Sequence, residues 1–207
     1  MHNFRRATPD DLNALYRISL RTGHLGADAR HLYADPKLMG HIYSAPYLKF
    51  SPDLAMVVER HGQVLGFCIG AANTRDFERR LEAAWWPGLR WKLQKPLAIK
   101  RSEWTADERR CQMIHEPEIA PEHVCKSFPA HLHMNLLPEI QGQDIGHRLL
   151  QYWMERAIGL GISAVHVGAN VQNQKAVRFW QRQGFRNLVE NAGAPGSRTV
   201  WLGRSKL

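Results

Sequence analysis

The stretch Leu136-Leu137-Pro138-Glu139-Ile140-Gln141-Gly142-Gln143-Asp144-Ile145-Gly146-His147-Arg148-Leu149-Leu150 decides how this chain is read. Residues 131–137 lead into it as a strand. Pro138 and Glu139 turn the chain, and two glycines follow. Ile145, Leu149, Leu150, Trp153, Met154, Ala157 and Ile158 then recur at helical spacing. A strand thus passes through a glycine-containing turn into an amphipathic helix. The first amides of such a helix lack partners within it and carry partial positive charge, which suits phosphate. Gly142 and Gly146 would allow a ligand to come close. Many strand-to-helix turns contain glycine and bind nothing, so this stretch alone leaves both readings open.

Downstream, Gly159 and Gly161 end the helix, and residues 164–167 form a compact apolar strand. A helix over 173–183 is stopped by Gly184. Two weaker strands, 185–189 and 198–203, flank a Gly/Pro-rich turn. Upstream, residues 3–7 read as a first strand. Thr8-Pro9-Asp10-Asp11 is a helix start, with Thr8 placed to cap and Pro9 at the first helical position. Leu12, Leu15 and Ile18 continue that helix until Gly23. Residues 29–47 read as further helix broken by Pro36 and Pro46. Runs 54–59 and 64–70 form a hairpin through His61-Gly62-Gln63. The least regular part, 74–128, holds Trp85, Trp86, Trp91 and Trp104 among many basic residues and reads as an insertion with one or two helices. The predicted class is α/β (mixed α+β), with residues 1–207 forming a single domain that carries this insertion.

Composition narrows the setting. Apolar residues at 44% and charged residues at 23% exclude a disordered chain. No apolar run approaches the ~20 residues of a membrane span, and the N-terminus lacks the apolar core of a secretory signal, so a cytoplasmic protein is expected. Cys68, Cys111 and Cys125 suggest neither a disulfide framework nor a metal site, and Cys68 reads as a core residue. The net charge of +9 fits nucleic acid, an anionic membrane, a polyanionic small molecule or merely a basic surface.

A second landmark resolves part of this. Gln141-Gly142-Gln143-Asp144-Ile145-Gly146, after Leu137-Pro138-Glu139, resembles the acyl-CoA motif of the GCN5-related N-acetyltransferase (GNAT) superfamily, Gln/Arg-x-x-Gly-x-Gly/Ala. Asn173-Gln174-Lys175-Ala176, then Phe179-Trp180 and Gly184-Phe185, resembles that family's later Asn-x-x-Ala, aromatic pair and Gly-Phe. Two landmarks in order are far more specific than either alone. The Thr8 start and the His61-Gly62 hairpin match the usual first half. His131-Leu132-His133 and the Trp-rich insertion are similar to a bacterial subgroup resembling the acetyltransferase-like domain of protein O-GlcNAcase.

The resemblance implies a twisted mixed sheet of six to seven strands, helices on both faces, and fourth and fifth strands (131–137 and 164–167) that splay apart. It implies acetyl-CoA as co-substrate, no metal, and direct attack of a primary amine on the thioester. The pantetheine arm would lie along Asn135, Leu136 and Leu137, with backbone N–H groups near Leu136 and Leu137 holding the thioester carbonyl. The phosphates would meet Gln141, Gly142, Gln143, Asp144, Ile145, Gly146 and His147. Asn173, Ala176, Phe179 and Trp180 would form the second wall. The acceptor stays open, as does a homodimer, and neither nucleic acid nor membrane is an expected partner.

Two departures matter. Asp144 stands where the family has glycine: either it repels a phosphate or it turns aside to cap the helix. Trp180 stands where many members have a tyrosine that protonates the leaving thiolate, and an indole cannot do so. A catalytically weak or inactive acetyl-CoA-binding domain is therefore the alternative, with a nucleic-acid or membrane module behind it. His131 and His133 share one strand face with Asn135 and are the candidate proton acceptors, with His166 as an outsider; strand histidines are also commonly packed and hydrogen-bonded. Trp85 and Trp86 are either an acceptor surface or a local hydrophobic cluster.

Overall fold

The computed structural model describes residues 1–188 and 198–207. Seven strands form one sheet in the order β1-β2-β3-β4-β5-β7-β6. They are β1 (Asn3–Arg6), β2 (Ala55–Arg60), β3 (Gln63–Ala71), β4 (Ala130–Leu136), β5 (Ala164–Asn170), β6 (Arg186–Asn187) and β7 (Thr199–Ser205). All neighbours pair antiparallel except β4 and β5, which run parallel. Between β2 and β3, His61 and Gly62 both take positive φ, 52° and 74°, the handedness that a two-residue hairpin turn requires. The expected Gly/Pro-rich turn, and the end of the strand expected to reach Val189, lie outside the described residues.

Helices α1 (Leu12–Arg21), α2 (Leu38–Tyr43) and α3 (Ala45–Phe50) cover the sheet face carrying His131, His133 and Asn135. Helix α8 (Ile145–Gly159) covers the other, where the buried Trp153 indole donates to the Leu54 carbonyl at 3.0 Å. The Thr8-Pro9 start is present, but a 3-10 turn, Pro9–Asp11, precedes α1. Asp11 is buried there because it accepts from the Thr8 amide at 2.7 Å and from both terminal nitrogens of Arg5. Arg5 holds its carboxyl below the usual range.

Two expectations change. The helix expected over 29–47 begins only at Leu38, after the restriction imposed by Pro36. The break expected at Pro46 is present: α2 stops at Tyr43 and α3 starts at Ala45, with Pro46 in its first turn, where the missing N–H has no helical partner to lose. Besides a 3-10 helix, Ala98–Glu103, the 74–128 segment holds four α-helices: α4 (Thr74–Ala84), α5 (Trp86–Lys92), α6 (Ala106–His115) and α7 (Glu122–Ser127). Phe77, Leu81, Trp86 and Ile114 from it join the same buried cluster as the sheet. Trp85 donates to the His41 carbonyl at 2.9 Å, so Trp85 and Trp86 act as anchors. Trp91, at 89% exposure, is the exception. Cys68 is buried in β3, which pushes its thiol pKa up.

Candidate active site

β4 and β5 have seven residues each but are in register only at Ala130↔Val165 and His131↔His166. Beyond His131 they splay, and a gap opens. The Leu137 amide donates to the Leu65 carbonyl at 2.9 Å. Peptide groups alternate along a strand, so those of Asn135 and His133 also face β3, while those of Met134 and Leu136 face the gap. Leu137, fully buried and with its amide spent on β3, is thus not a donor to the thioester. Asn135 is also turned away: its side-chain amide donates to Thr22 Oγ1 at 2.6 Å and fixes the end of α1. Met134 was missed in the sequence, although alternation from Leu136 would have found it.

At the mouth of the gap the chain makes a 3-10 turn, Pro138–Ile140. The Gln141 side chain donates to the Leu136 carbonyl at 2.8 Å, and Gln143 to the Glu139 carbonyl at 3.1 Å. Arg21 from α1 reaches Glu139 at 3.4 Å, which brings a cation to this turn. Gly142 has φ +73°, and a Cβ there would meet nothing within 4 Å, so its surface is open. Asp144 is exposed and left-handed, φ 60°, with no side-chain bond to the helix amides. The capping reading is therefore not realised. A left-handed backbone explains why glycine suits this position. Ile145 sends its side chain into the core, so only its amide can serve a ligand. Gly146 is tight: a Cβ would lie 3.2 Å from the Phe179 ring and 3.4 Å from Leu136. His147 Nδ1 donates to Gln183 Oε1 at 2.8 Å, tying α8 to the next helix.

That helix, α9 (Gln174–Arg182), carries the residues expected to form the second wall. Asn173 caps it, accepting from the Ala176 amide at 3.1 Å. The turn at Gly26, after α1, comes up against the Asn173 amide nitrogen. Trp180 is buried edge-on between Phe179 and Phe185, each centroid 5.1 Å away, as a core aromatic is.

The histidines divide. Thr74 Oγ1 donates to the Pro129 carbonyl, so it accepts from His131 Nδ1 at 2.9 Å, and the Tyr47 hydroxyl then donates to Nε2 at 2.7 Å. Both nitrogens are committed and burial drives the pKa well down, so His131 is no proton acceptor. His166 donates to the Phe128 carbonyl at 2.6 Å. His133 makes no hydrogen bond among the described residues. Its ring stands edge-on to Tyr43, Tyr47 and His131 at 6.0, 5.7 and 6.0 Å. Burial, then the neighbouring His166, push its pKa down to about 4, so it is a neutral imidazole with uncommitted nitrogens. Tyr43, Tyr47, Thr22, Thr74 and Gln183 carried no signal in the sequence, because their partners lie 36 to 113 residues away. Among the described residues no group of three or more His, Cys, Asp or Glu could hold a metal ion.

A mixed seven-stranded sheet that splays at its parallel pair, with a glycine turn and helix start at the mouth, defines the GNAT fold. The chain belongs to that class: the model of the acetyltransferase (GNAT) family matches residues 12–185. Its neighbours among solved structures agree. One, SsHAT, is 33% identical, with a TM-score of 0.88 over 99% of this chain and 98% of that one. The PaiA N-acetyltransferase of Thermoplasma acidophilum, solved with coenzyme A, is 13% identical, with a TM-score of 0.58 over 99% of each chain. YncA of Salmonella typhimurium, a putative acetyltransferase solved with acetyl-CoA, is 14% identical, with a TM-score of 0.57 over 99% of this chain and 94% of that one. The last two share the fold. No helix among the described residues is long and apolar enough to cross a membrane.

Proposed function

We propose that this chain transfers the acetyl group of acetyl-CoA to an amine. The observation that carries the reading is the splay: beyond His131 the β4 edge offers the peptide groups of Met134 and the amide of Leu136, which neither β3 nor β5 claims. Pantetheine is a chain of amides and pairs with such an edge as a strand would. The diphosphate meets the open amides around Gly142 and the start of α8, with Arg21 and His147 near.

Attack by the amine forms a C–N bond and turns the thioester carbonyl into an oxyanion. A fixed Met134 or Leu136 N–H aimed at that oxygen lowers the barrier. His133 takes the proton from the attacking nitrogen, which is acidic once bonded to carbon. The C–S bond breaks and CoA leaves as a thiolate. Trp180 has no proton to lend, but a thiol pKa near ~8.5 makes the thiolate a tolerable leaving group. Asp144 and Trp180 favour a second reading, a domain that holds acetyl-CoA with little turnover. Calorimetric titration with acetyl-CoA, paired with thiol release over an amine panel, separates the two. Binding with release supports the first reading, and binding alone supports the second. No heat and no thermal shift at millimolar acetyl-CoA would end both.

A further inference from the structure

Arg110 on α6 is a half-buried cation beside the acceptor face. Its Nε donates to the Tyr33 hydroxyl at 3.0 Å. Its Nη1 donates to the Tyr43 hydroxyl at 3.1 Å and to Met113 Sδ at 2.9 Å. All three partners are neutral, and no carboxylate lies within ion-pair distance of it among the described residues. The nearby acids are engaged or distant. Asp107 accepts from the amides of Ala34 and Asp35 at 3.0 and 2.9 Å, and Asp35 accepts from the Lys37 amide at 2.8 Å. Glu118 is exposed and acts on Arg110 only through space.

A guanidinium taken partly out of water without a counter-ion is costly, and its neutral partners fix its plane without cancelling its charge. Two of its donors are oriented by tyrosines, and Nη2 has no hydrogen-bond partner among the described residues. That edge suits an incoming carboxylate, which Arg binds in a planar fork. The location fits a substrate. The guanidinium carbon is 5.5 Å from the Tyr43 ring centroid, and that ring is 6.0 Å from His133, where β4 leaves β5. Asp107 ties the insertion to the 33–35 loop, so the cation, the two tyrosines and His133 sit on adjoining elements.

We propose that Arg110, oriented by Tyr33 and Tyr43, binds a carboxylate of the acceptor, so that the acceptor is an amino-carboxylate with its acid several bonds from its amine. This rests on the acetyl-transfer reading, but it can be tested by binding alone. The probes are N-acetylglycine, N-acetyl-4-aminobutyrate and N-acetyl-6-aminohexanoate, each beside its neutral terminal amide, titrated by ligand-observed NMR. At least one acid should bind about tenfold or more tighter than its amide, with one chain length favoured. Arg110→Met should erase that preference, and Tyr33→Phe, which removes one orienting hydroxyl at a surface loop, should reduce it. Equal binding of acids and amides, or a preference that survives both substitutions, overturns the proposal. If acids are preferred yet the parent amines release no thiol, it is acetyl transfer that fails and not the carboxylate site.

Discussion

The two sides of the splayed pair are built from different materials. On the proposed donor side, from Leu136 to His147, the groups left for a ligand are peptide N–H donors, because side chains such as Gln141, Gln143 and Ile145 are tied to the backbone or buried. On the proposed acceptor side, the groups are side chains: His133, Tyr43, Tyr47 and Arg110, from four separate elements. The difference teaches where change is tolerated. A backbone site survives most substitutions except those that alter φ or fill space, whereas a side-chain site is lost with one residue.

The largest test of that contrast is His133→Gln. If His133 takes the proton, kcat should fall about 10²–10⁴-fold while the acetyl-CoA Kd, set on the donor side, stays put. Steady-state kinetics beside calorimetry reads both, and an unchanged kcat would remove His133 from the chemistry. In the active protein the acid limb of kcat should lie near pH 4 rather than near the ordinary histidine value, because burial lowers this pKa to about 4.

The same histidines make the acceptor side the acid-sensitive half. His131, His133 and His166 all have lowered pKa values, chiefly from burial, and their rings lie 5.9 to 6.0 Å apart in sequence along β4 and β5. The unfolded chain therefore binds more protons than the folded one at mildly acid pH. Stability should be full above about pH 6.5 and fall as the pH drops toward 4, by about 1.4 kcal/mol per pH unit for each histidine engaged. Urea midpoints at pH 7.5, 6 and 5 measure it. His131→Gln should flatten the slope, and a flat profile in the unaltered protein would contradict the buried, neutral trio.

Gly146→Val probes the donor side by filling space. Its Cβ would stand 3.2 Å from the Phe179 ring, so α8 and α9 must part, at about 1–3 kcal/mol. Acetyl-CoA affinity should fall with stability, while the pH slope, owned by the other side, should not change. An unchanged Kd and melting temperature would show that α9 does not close this wall.

What the sequence revealed follows the same division. The 141–146 turn, the 173–185 landmark and the hairpin at His61-Gly62 were legible because backbone demands fall on glycine, proline and caps at fixed spacing. The splayed fourth and fifth strands came through the resemblance, but alternation along 131–137 was not carried to the backbone donors, so Met134 was missed. The helix expected from residue 29 starts only at Leu38, after Pro36, whereas the break expected at Pro46 is present. The acceptor side stayed hidden: the Tyr47–His131 bond spans 84 residues and Asn135–Thr22 spans 113, and no local rule encodes such meetings. His131 and His133 looked equivalent by alternation, and only Thr74 and Tyr47 distinguish them.

Asp144 gives the smallest and sharpest test, because it is the one place where a side chain intrudes on the backbone site. Two effects act there: a left-handed φ of 60° that costs a non-glycine residue about 1 kcal/mol, and a negative charge beside the phosphate turn. Asp144→Asn removes the charge and keeps the side chain in a conformation that asparagine tolerates. Asp144→Gly removes both. If charge dominates, the two variants should tighten acetyl-CoA binding equally, by severalfold, and more so at low salt, because the carboxylate is exposed and screened. If backbone dominates, only the glycine should raise the melting temperature, and affinity should scarcely move. Calorimetry at two salt concentrations with thermal unfolding separates them. Weaker binding in both variants would mean that Asp144 helps to hold the donor, and the division between a backbone side and a side-chain side would have to be redrawn.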